Sequence, residues 1–225
     1  MPRQRIPELM DDPALDPEEH YAALKGLARI NRLSRSARLL WPAIRGAARA
    51  KPTRPLRVLD VATGAGDVPF GVLRLAEREG LALDIRGCDI SPIALTAAEG
   101  QDPKLRLFQC DAVRDPLPTG FDVATCSLFL HHLSDEDAVT VLSRMKAAAT
   151  VVLVNDLSRS RLGFAAAWVG CRLLTRSKVV RFDGPASVRS AFTPAEALAL
   201  AERAGLAGAT VGRRWPFRFL LEWRG

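Results

Sequence analysis

Leu56-Arg57-Val58-Leu59-Asp60-Val61-Ala62-Thr63-Gly64-Ala65-Gly66-Asp67 is the stretch that decides how the chain is built. A short Leu/Val-rich run that ends on an acid and two glycines reads as a buried strand turning tightly into a helix. Val68 to Glu79 has helical spacing, and Ala82 to Asp89 reads as a second strand, which completes one βαβ unit. Ser91-Pro92 then offers an N-cap followed by proline at the first helical position, opening a helix that runs to about Glu99. Further strands are expected at Leu105 to Gln109, Phe121 to Ser127 and Thr150 to Asn155. A helix from Asp135 to Ala148, capped by Ser134, separates the last two. Strands and helices alternating in this order predict an α/β fold with a parallel sheet covered on both faces.

The C-terminal third departs from that alternation. Phe164 to Leu174 reads as an apolar helix, and Thr193-Pro194-Ala195-Glu196 is a capping box opening a helix that stops at Gly205. Strands at about Ala209 to Arg213 and Phe217 to Trp223, either side of Trp215-Pro216, are close enough to pair as an antiparallel hairpin. The expected organisation is a single domain over residues 1–225. It comprises a helical cap (1–50, with its helices from residue 18), a core (55–160), a lid insertion (161–192) and a terminal helix and hairpin (193–225).

At 225 residues, 48% hydrophobic and 25% charged, the chain has the composition of one soluble domain with a sizeable core. Met1-Pro2-Arg3-Gln4-Arg5 leads into Asp11-Asp12 and lacks the shape of a secretory signal. The apolar stretch Leu162 to Cys171 is too short to span a bilayer. Cys88, Cys110, Cys126 and Cys171 form no CxxC pair and read as small buried residues in a reduced, cytoplasmic compartment. The net charge of +7 comes mostly from dispersed arginine. The Arg-rich stretch from Arg29 to Arg57 is interrupted by Leu39-Leu40-Trp41 and Ile44, as in helices with one buried face, so a solvated surface is the first reading. Contact with a membrane surface stays open.

Gly64 and Gly66 let the backbone turn without Cβ obstruction, at the strand end where doubly wound sheets bind ligands. A dinucleotide fingerprint is disfavoured: its third glycine position falls on Pro69, and Asp60 and Asp67 would repel a pyrophosphate while attracting a cation. Asp89, ending the second strand, is placed to accept ribose hydroxyls, and Asp111, just past the third, to accept from an adenine amino group. Three acids at successive strand ends converge on one crevice.

Val58 to Gly66, Asp89-Ile90-Ser91 and Cys110-Asp111-Ala112 resemble the successive motifs of class I methyltransferases, over about residues 55 to 160. The resemblance implies S-adenosylmethionine as cofactor, with Asp60 near its amino group, Asp89 on the ribose and Asp111 on adenine. The site so implied comprises Asp60, Ala62, Thr63, Gly64, Gly66, Asp67, Asp89, Ile90, Asp111, Ala112, Ser127 and Leu128. The usual first glycine of the loop is Ala62, a change that ubiquinone- and menaquinone-type methyltransferases tolerate. The family's seven-stranded sheet, antiparallel at its last strand, agrees with the terminal hairpin.

Methyl transfer to a phenol needs the nucleophile held in line and is helped by a nearby base. Ser127-Leu128-Phe129-Leu130-His131-His132 follows the fourth strand and holds two of the three histidines, residues that titrate near neutrality. With Asp156 after the fifth strand, the pair resembles the base and partner of natural-product sugar and phenol O-methyltransferases. The residues leave open which histidine is the base. Asn155-Asp156 also raises the question of a metal, but no further carboxylates group with it, and none is expected. Nucleic-acid N-methylation is disfavoured because Ser127-Leu128-Phe129-Leu130 replaces the Asn/Asp-Pro-Pro-aromatic run of enzymes that hold a flipped base.

Phe164 to Cys171, with Trp168, could roof the pocket with apolar surface. Val154 to Leu157 and Asp183 to Thr193 resemble methyltransferases found beside type III polyketide synthases in bacteria. That resemblance implies a phenolic or polyketide-type acceptor from secondary metabolism, methylated on oxygen, with Asp183 and Arg189 on a lid over it. Carbon methylation of a quinol or polyketide, RNA methylation and a non-catalytic cofactor-binding module are the competing readings.

Overall fold

The computed structural model describes residues 1–12, 14–16, 18–19, 21–26, 36–99, 102 and 104–225. The expected strand at 56–61 forms as β1 (Leu56–Val61), followed by β2 (Leu83–Asp89), β3 (Leu105–Gln109), β4 (Phe121–Ser127), β5 (Ala149–Leu157), β6 (Thr210–Arg214) and β7 (Arg218–Arg224). They make one sheet in the order β3-β2-β1-β4-β5-β7-β6. β1 pairs in parallel with both β2 and β4, whereas β7 runs antiparallel to β5 and β6. The order reverses between β1 and β4, which opens a crevice at the carboxyl ends of those strands.

The helices are α1 (Ser36–Arg49), α2 (Asp67–Arg78), α3 (Pro92–Ala98), α4 (Asp135–Ala148), α5 (Arg161–Leu174), α6 (Lys178–Ser190) and α7 (Pro194–Arg203). Their starts follow local chemistry. Ser91, Ser134 and Thr193 each accept a backbone N–H of the first turn through their side chains, and Thr193 with Glu196 forms the full capping box. Gly205, at φ +78°, follows the end of α7.

Two apolar layers sandwich the sheet. One face packs Leu130, Leu142, Met145, Phe192 and Phe219 beneath α4 and α7, and the other packs Leu40, Trp41, Ile44 and Phe70 of α1 and α2 against Val58, Ile85 and Leu153. All four cysteines are buried and free.

Three features differ from the sequence reading. The expected helical cap is helical at 18–19, 21–26 and α1, and its residues 27–35 lie outside the described residues. Residues 1–8 are not helical: they run as an extended strap along α6, with Gln4 N–H bonded to the Arg189 carbonyl and the Ser190 hydroxyl bonded to the Gln4 carbonyl. The lid insertion contains a second helix, α6, that the pattern hid because Gly184-Pro185 sits inside it. β5 also continues two residues further than expected, so Asn155 and Asp156 are both strand residues.

Candidate active site

The β1–α2 turn is bent into the left-handed region at Ala62 (φ 54°), Gly64 (φ 56°) and Gly66 (φ 80°). A Cβ at Gly64 would meet nothing within 4 Å, so the glycine leaves open space beside the strand end. Ala62, where related loops keep glycine, bears the steric penalty of a left-handed L-residue, about 1–2 kcal/mol. Leu128, at the end of β4, is left-handed as well (φ 59°). Non-glycine residues held in this region gather at ligand sites because the surrounding structure fixes them there.

Hydrogen bonds stitch the strand ends together. Thr63 N–H reaches the Cys88 carbonyl (2.9 Å), Gly64 N–H the Asp89 Oδ2 (2.7 Å), Cys110 N–H the Asp89 carbonyl (3.0 Å) and Leu128 N–H the Asn155 carbonyl (2.9 Å). Asp89 Oδ1 also accepts from Ser91 N–H. Asp111 accepts from the N–H groups of Val113 and Arg114 and so fixes the turn after β3.

Asp60 is buried and accepts the hydroxyls of Thr63 (2.7 Å) and Thr125 (2.6 Å). Burial pushes its pKa up to about 6, with the two hydroxyls opposing and the charge of Asp89 assisting. A cation bound nearby would reverse that shift. Ser127 Oγ and both side-chain polar atoms of Asn155, paired across β4 and β5, are buried without a hydrogen-bond partner among the described residues. Open space at Gly64, a desolvated acid and these unsatisfied donors and acceptors fit a polar, cationic ligand lying across the strand ends. Of the remaining expected residues, Asp67 opens α2, Ala112 is buried and Ile90 is exposed beside Asp89.

Neighbouring strand residues face opposite sides, so Asn155 and Asp156 part company. Asp156 turns toward the short 3-10 turn Leu130–His132. Its Oδ1 lies 2.6 Å from His131 Nδ1, and its Oδ2 accepts the His131 backbone N–H (3.2 Å). Asp156 is thus paired with His131 rather than His132. The other ring nitrogen, Nε2, lies 3.4 Å from Glu8 Oε1 on the strap, and His132 Nε2 lies 3.9 Å from the same oxygen. Ser187 of α6 donates to Glu8 as well (2.5 Å).

Burial disfavours charge on His131, but Asp156 and Glu8 outweigh it and push the imidazole up to about 10. Burial works against Glu8 too, yet the two histidines and the Ser187 hydroxyl bring it down to about 2. Asp156 is held below the usual carboxylate range by the His131 charge despite its burial. Arg218, buried on β7, adds a cation felt by Asp156.

Glu8, His131 and His132 also offer one ligand atom each within 4.8 Å of one another, one such group among the described residues. With His131 contacting a carboxylate through each ring nitrogen, the arrangement is that of an ion-paired cluster. Nothing in the sequence around Glu8 points to this role, because its partners are more than a hundred residues away.

The three expected acceptor contacts separate. Trp168 stands on the outer side of α5 with Arg172 over its ring, 3.9 Å from the centroid. Asp183 is buried and accepts the N–H groups of Leu9 (2.8 Å) and Met10 (3.1 Å). Arg189 lies over the Phe164 ring at 4.8 Å. Asp183, Ser187 and Ser190 share one side of α6, and that side holds the strap.

Comparison with known proteins bears on this geometry. Residues 58–150 match the family described as Methyltransferase domain. Demethylmenaquinone methyltransferase of Thermus thermophilus is 36% identical over 99 residues, 41% of this chain, and the match spans 43% of that protein. Among solved structures, human N-acetylserotonin methyltransferase in complex with SAM superposes with a TM-score of 0.66 at 16% identity, over 92% of this chain and 56% of that one. The O-methyltransferase NcsB1 from neocarzinostatin biosynthesis, in complex with S-adenosyl-L-homocysteine and 1,4-dihydroxy-2-naphthoic acid, gives 0.63 at 21%, over 93% and 59%. At such identities these structures bear on the fold alone. Residues 58–150 thus match a methyltransferase domain in sequence, and the described residues share the fold of these solved methyltransferases, with the same stretch carrying the glycine-bearing turn after β1.

Proposed function

We propose that the chain is an S-adenosylmethionine-dependent methyltransferase that methylates an oxygen of a small, largely apolar phenol, with Asp156 and His131 as the dyad that takes the proton. The observation that carries this reading is the 2.6 Å contact between Asp156 Oδ1 and His131 Nδ1, which leaves Nε2 as the working nitrogen at the carboxyl end of β4. Support for the cofactor comes from the desolvated Asp60, the open space at Gly64 and the carboxylate of Asp89. When bound, the cofactor supplies an electrophilic methyl group on a sulfonium.

The chain's own part is orientation and proton transfer. Asp156 fixes the His131 ring and its tautomer, as a buried carboxylate does in other histidine dyads. Glu8 contacts Nε2, so an acceptor hydroxyl has to take its place there. Losing that carboxylate removes one of the two charges that hold the imidazole near 10, which lowers its affinity for a proton and lets the ring release the Nε2 proton to solvent. The neutral ring, once its Nε2 proton has gone to solvent, then accepts the hydroxyl proton at Nε2 as the oxygen takes the methyl group. Four buried thiols suit a reducing, cytoplasmic setting.

A quinol acceptor is the second reading, favoured by the relative that methylates demethylmenaquinone by name. The deciding experiment is turnover of a labelled methyl group onto a panel of phenols, polyketides and quinols by the parent, His131→Ala and His132→Ala. A loss of about a hundredfold or more is expected for His131→Ala, a smaller one for His132→Ala, and little change in cofactor affinity for either. Equal turnover in all three proteins defeats the dyad. Absence of cofactor binding defeats the whole reading.

A further inference from the structure

Eight of the twelve large apolar side chains exposed among the described residues fall within two short stretches, 162–182 and 215–217. On α5, Leu162, Ala165, Ala166, Val169 and Leu173 follow one another at helical spacing. At 3.6 residues per turn they form an outward stripe about 100° wide. Leu162 and Leu173 are 73% and 79% exposed. The buried side of the same helix is carried by Gly163 and Cys171, so the stripe is not the face that packs on the domain. Gly163 lies against Phe217, where a Cβ would come within 3.2 Å, which sets the stripe beside the tip of the β6–β7 hairpin. Trp215, 78% exposed, stands at that tip.

Charge on these two stretches is one-sided. From Ser158 to Phe182 there are five arginines and one lysine and no acid, and from Ala204 to Leu221 three arginines and no acid. Arg159 is committed to Glu196, and Arg218 is buried. Arg161 and Arg172 are exposed on α5 itself, and Arg176, Lys178 and Arg213 are exposed on the adjoining segments. The two stretches that hold most of the exposed apolar side chains therefore carry basic charge and no acid.

We infer that α5 and the hairpin tip form a docking surface for an anionic lipid bilayer. An apolar stripe flanked by arginine and tryptophan is the chemistry of a helix lying in a headgroup layer: the aliphatic side chains enter the acyl boundary and the guanidinium groups meet lipid phosphates. A second copy of this chain fits less well, since a symmetric contact would set arginines against arginines. Nucleic acid would meet the arginines but leave the Leu and Val stripe in water. The inference goes beyond methyl transfer and does not rest on it.

The test is co-sedimentation of the full chain with phosphatidylcholine vesicles, with and without phosphatidylglycerol. Two variants are compared: Leu162→Ser with Leu173→Ser, and Arg172→Glu with Arg176→Glu. The parent is expected to sediment with the anionic vesicles and at least tenfold less with the neutral ones. Each variant is expected to bind the anionic vesicles at least tenfold more weakly while melting at the parent's temperature, since all four side chains are exposed. Overturning results are no binding to anionic vesicles, equal binding to both kinds, or full binding by either variant. Parent dimers in solution that dissociate in the serine variant, without vesicle binding, would assign the face to a second copy instead. Methyl-transfer assays on a water-soluble phenol without vesicles read the catalytic proposal separately.

Discussion

The two halves of the crevice are built differently. At the ends of β1, β2 and β3 each acid bonds to a residue in its own turn, Asp60 to Thr63, Asp89 to Ser91 and Asp111 to Val113, with cross-strand bonds from Thr125 to Asp60 and from Gly64 to Asp89 beside them. On the far side, beyond β4 and β5, the clustered polar groups come from distant parts of the chain. His131 meets Asp156, Glu8 meets both histidines, and Asp183 holds the backbone of Leu9 and Met10. A half fixed by its own turns suits a constant ligand. A half assembled across the chain can be altered piece by piece without disturbing the first.

That contrast makes measurable statements. Asp156→Ala is expected to have the largest effect. It leaves the Arg218 guanidinium and the His131 ring without their buried carboxylate, which costs about 3 kcal/mol of stability by urea unfolding and nearly all turnover. Cofactor affinity should survive it, and a loss there as large as that of turnover would show the halves to be coupled.

Asp89→Ala is the reciprocal change. Loss of a charged acceptor is worth on the order of 1.5–3 kcal/mol, so calorimetry should find cofactor affinity about ten- to a hundredfold weaker. The His131 titration followed by NMR should stay where it is in the parent.

Asp60 gives a pH dependence to the first half alone. Its folded pKa stands at about 6 against an ordinary 3.8, so the folded chain holds a proton that the unfolded chain has released. Between those values stability therefore falls as pH rises, whereas a cationic ligand gains because the ionised form attracts it. Cofactor affinity should be flat above pH 7 and fall below about 6, approaching a tenfold loss per unit. A flat profile down to pH 5 would remove Asp60 from the cofactor site.

The smallest effect belongs to Ala62→Gly. Relief of a left-handed alanine, partly offset by the entropy of glycine, should stabilise the fold by about 0.5–1 kcal/mol, read as a rise in melting temperature.

The same division explains what could be read from the chain alone. Strands β1 to β4, the caps at Ser91, Ser134 and Thr193, and the glycine turn are written in short windows, and sequence reading places them within a residue or two. The partner of His131, the strap and α6 are not. Which of the two histidines meets Asp156 depends on the 3-10 turn that points the His131 ring at β5. Glu8 carries no local signal, and Pro185 disguised a helix whose inward side holds the strap. Asn155 and Asp156, adjacent in sequence, face opposite sides of the sheet because β5 runs on to Leu157.

The position of β7 has a consequence for synthesis. It lies between β5 and β6, although both precede it along the chain. Until residues 218–224 leave the ribosome, β5 presents an unpaired hydrogen-bonding edge, and its Val151 to Val154 run is as apolar as any in the sheet. β6 meanwhile has no neighbour on which to form. The nascent chain thus carries a sticky β edge through the making of α5, α6 and α7, and a ribosome stalled before Arg218 would hold a product prone to edge-to-edge aggregation.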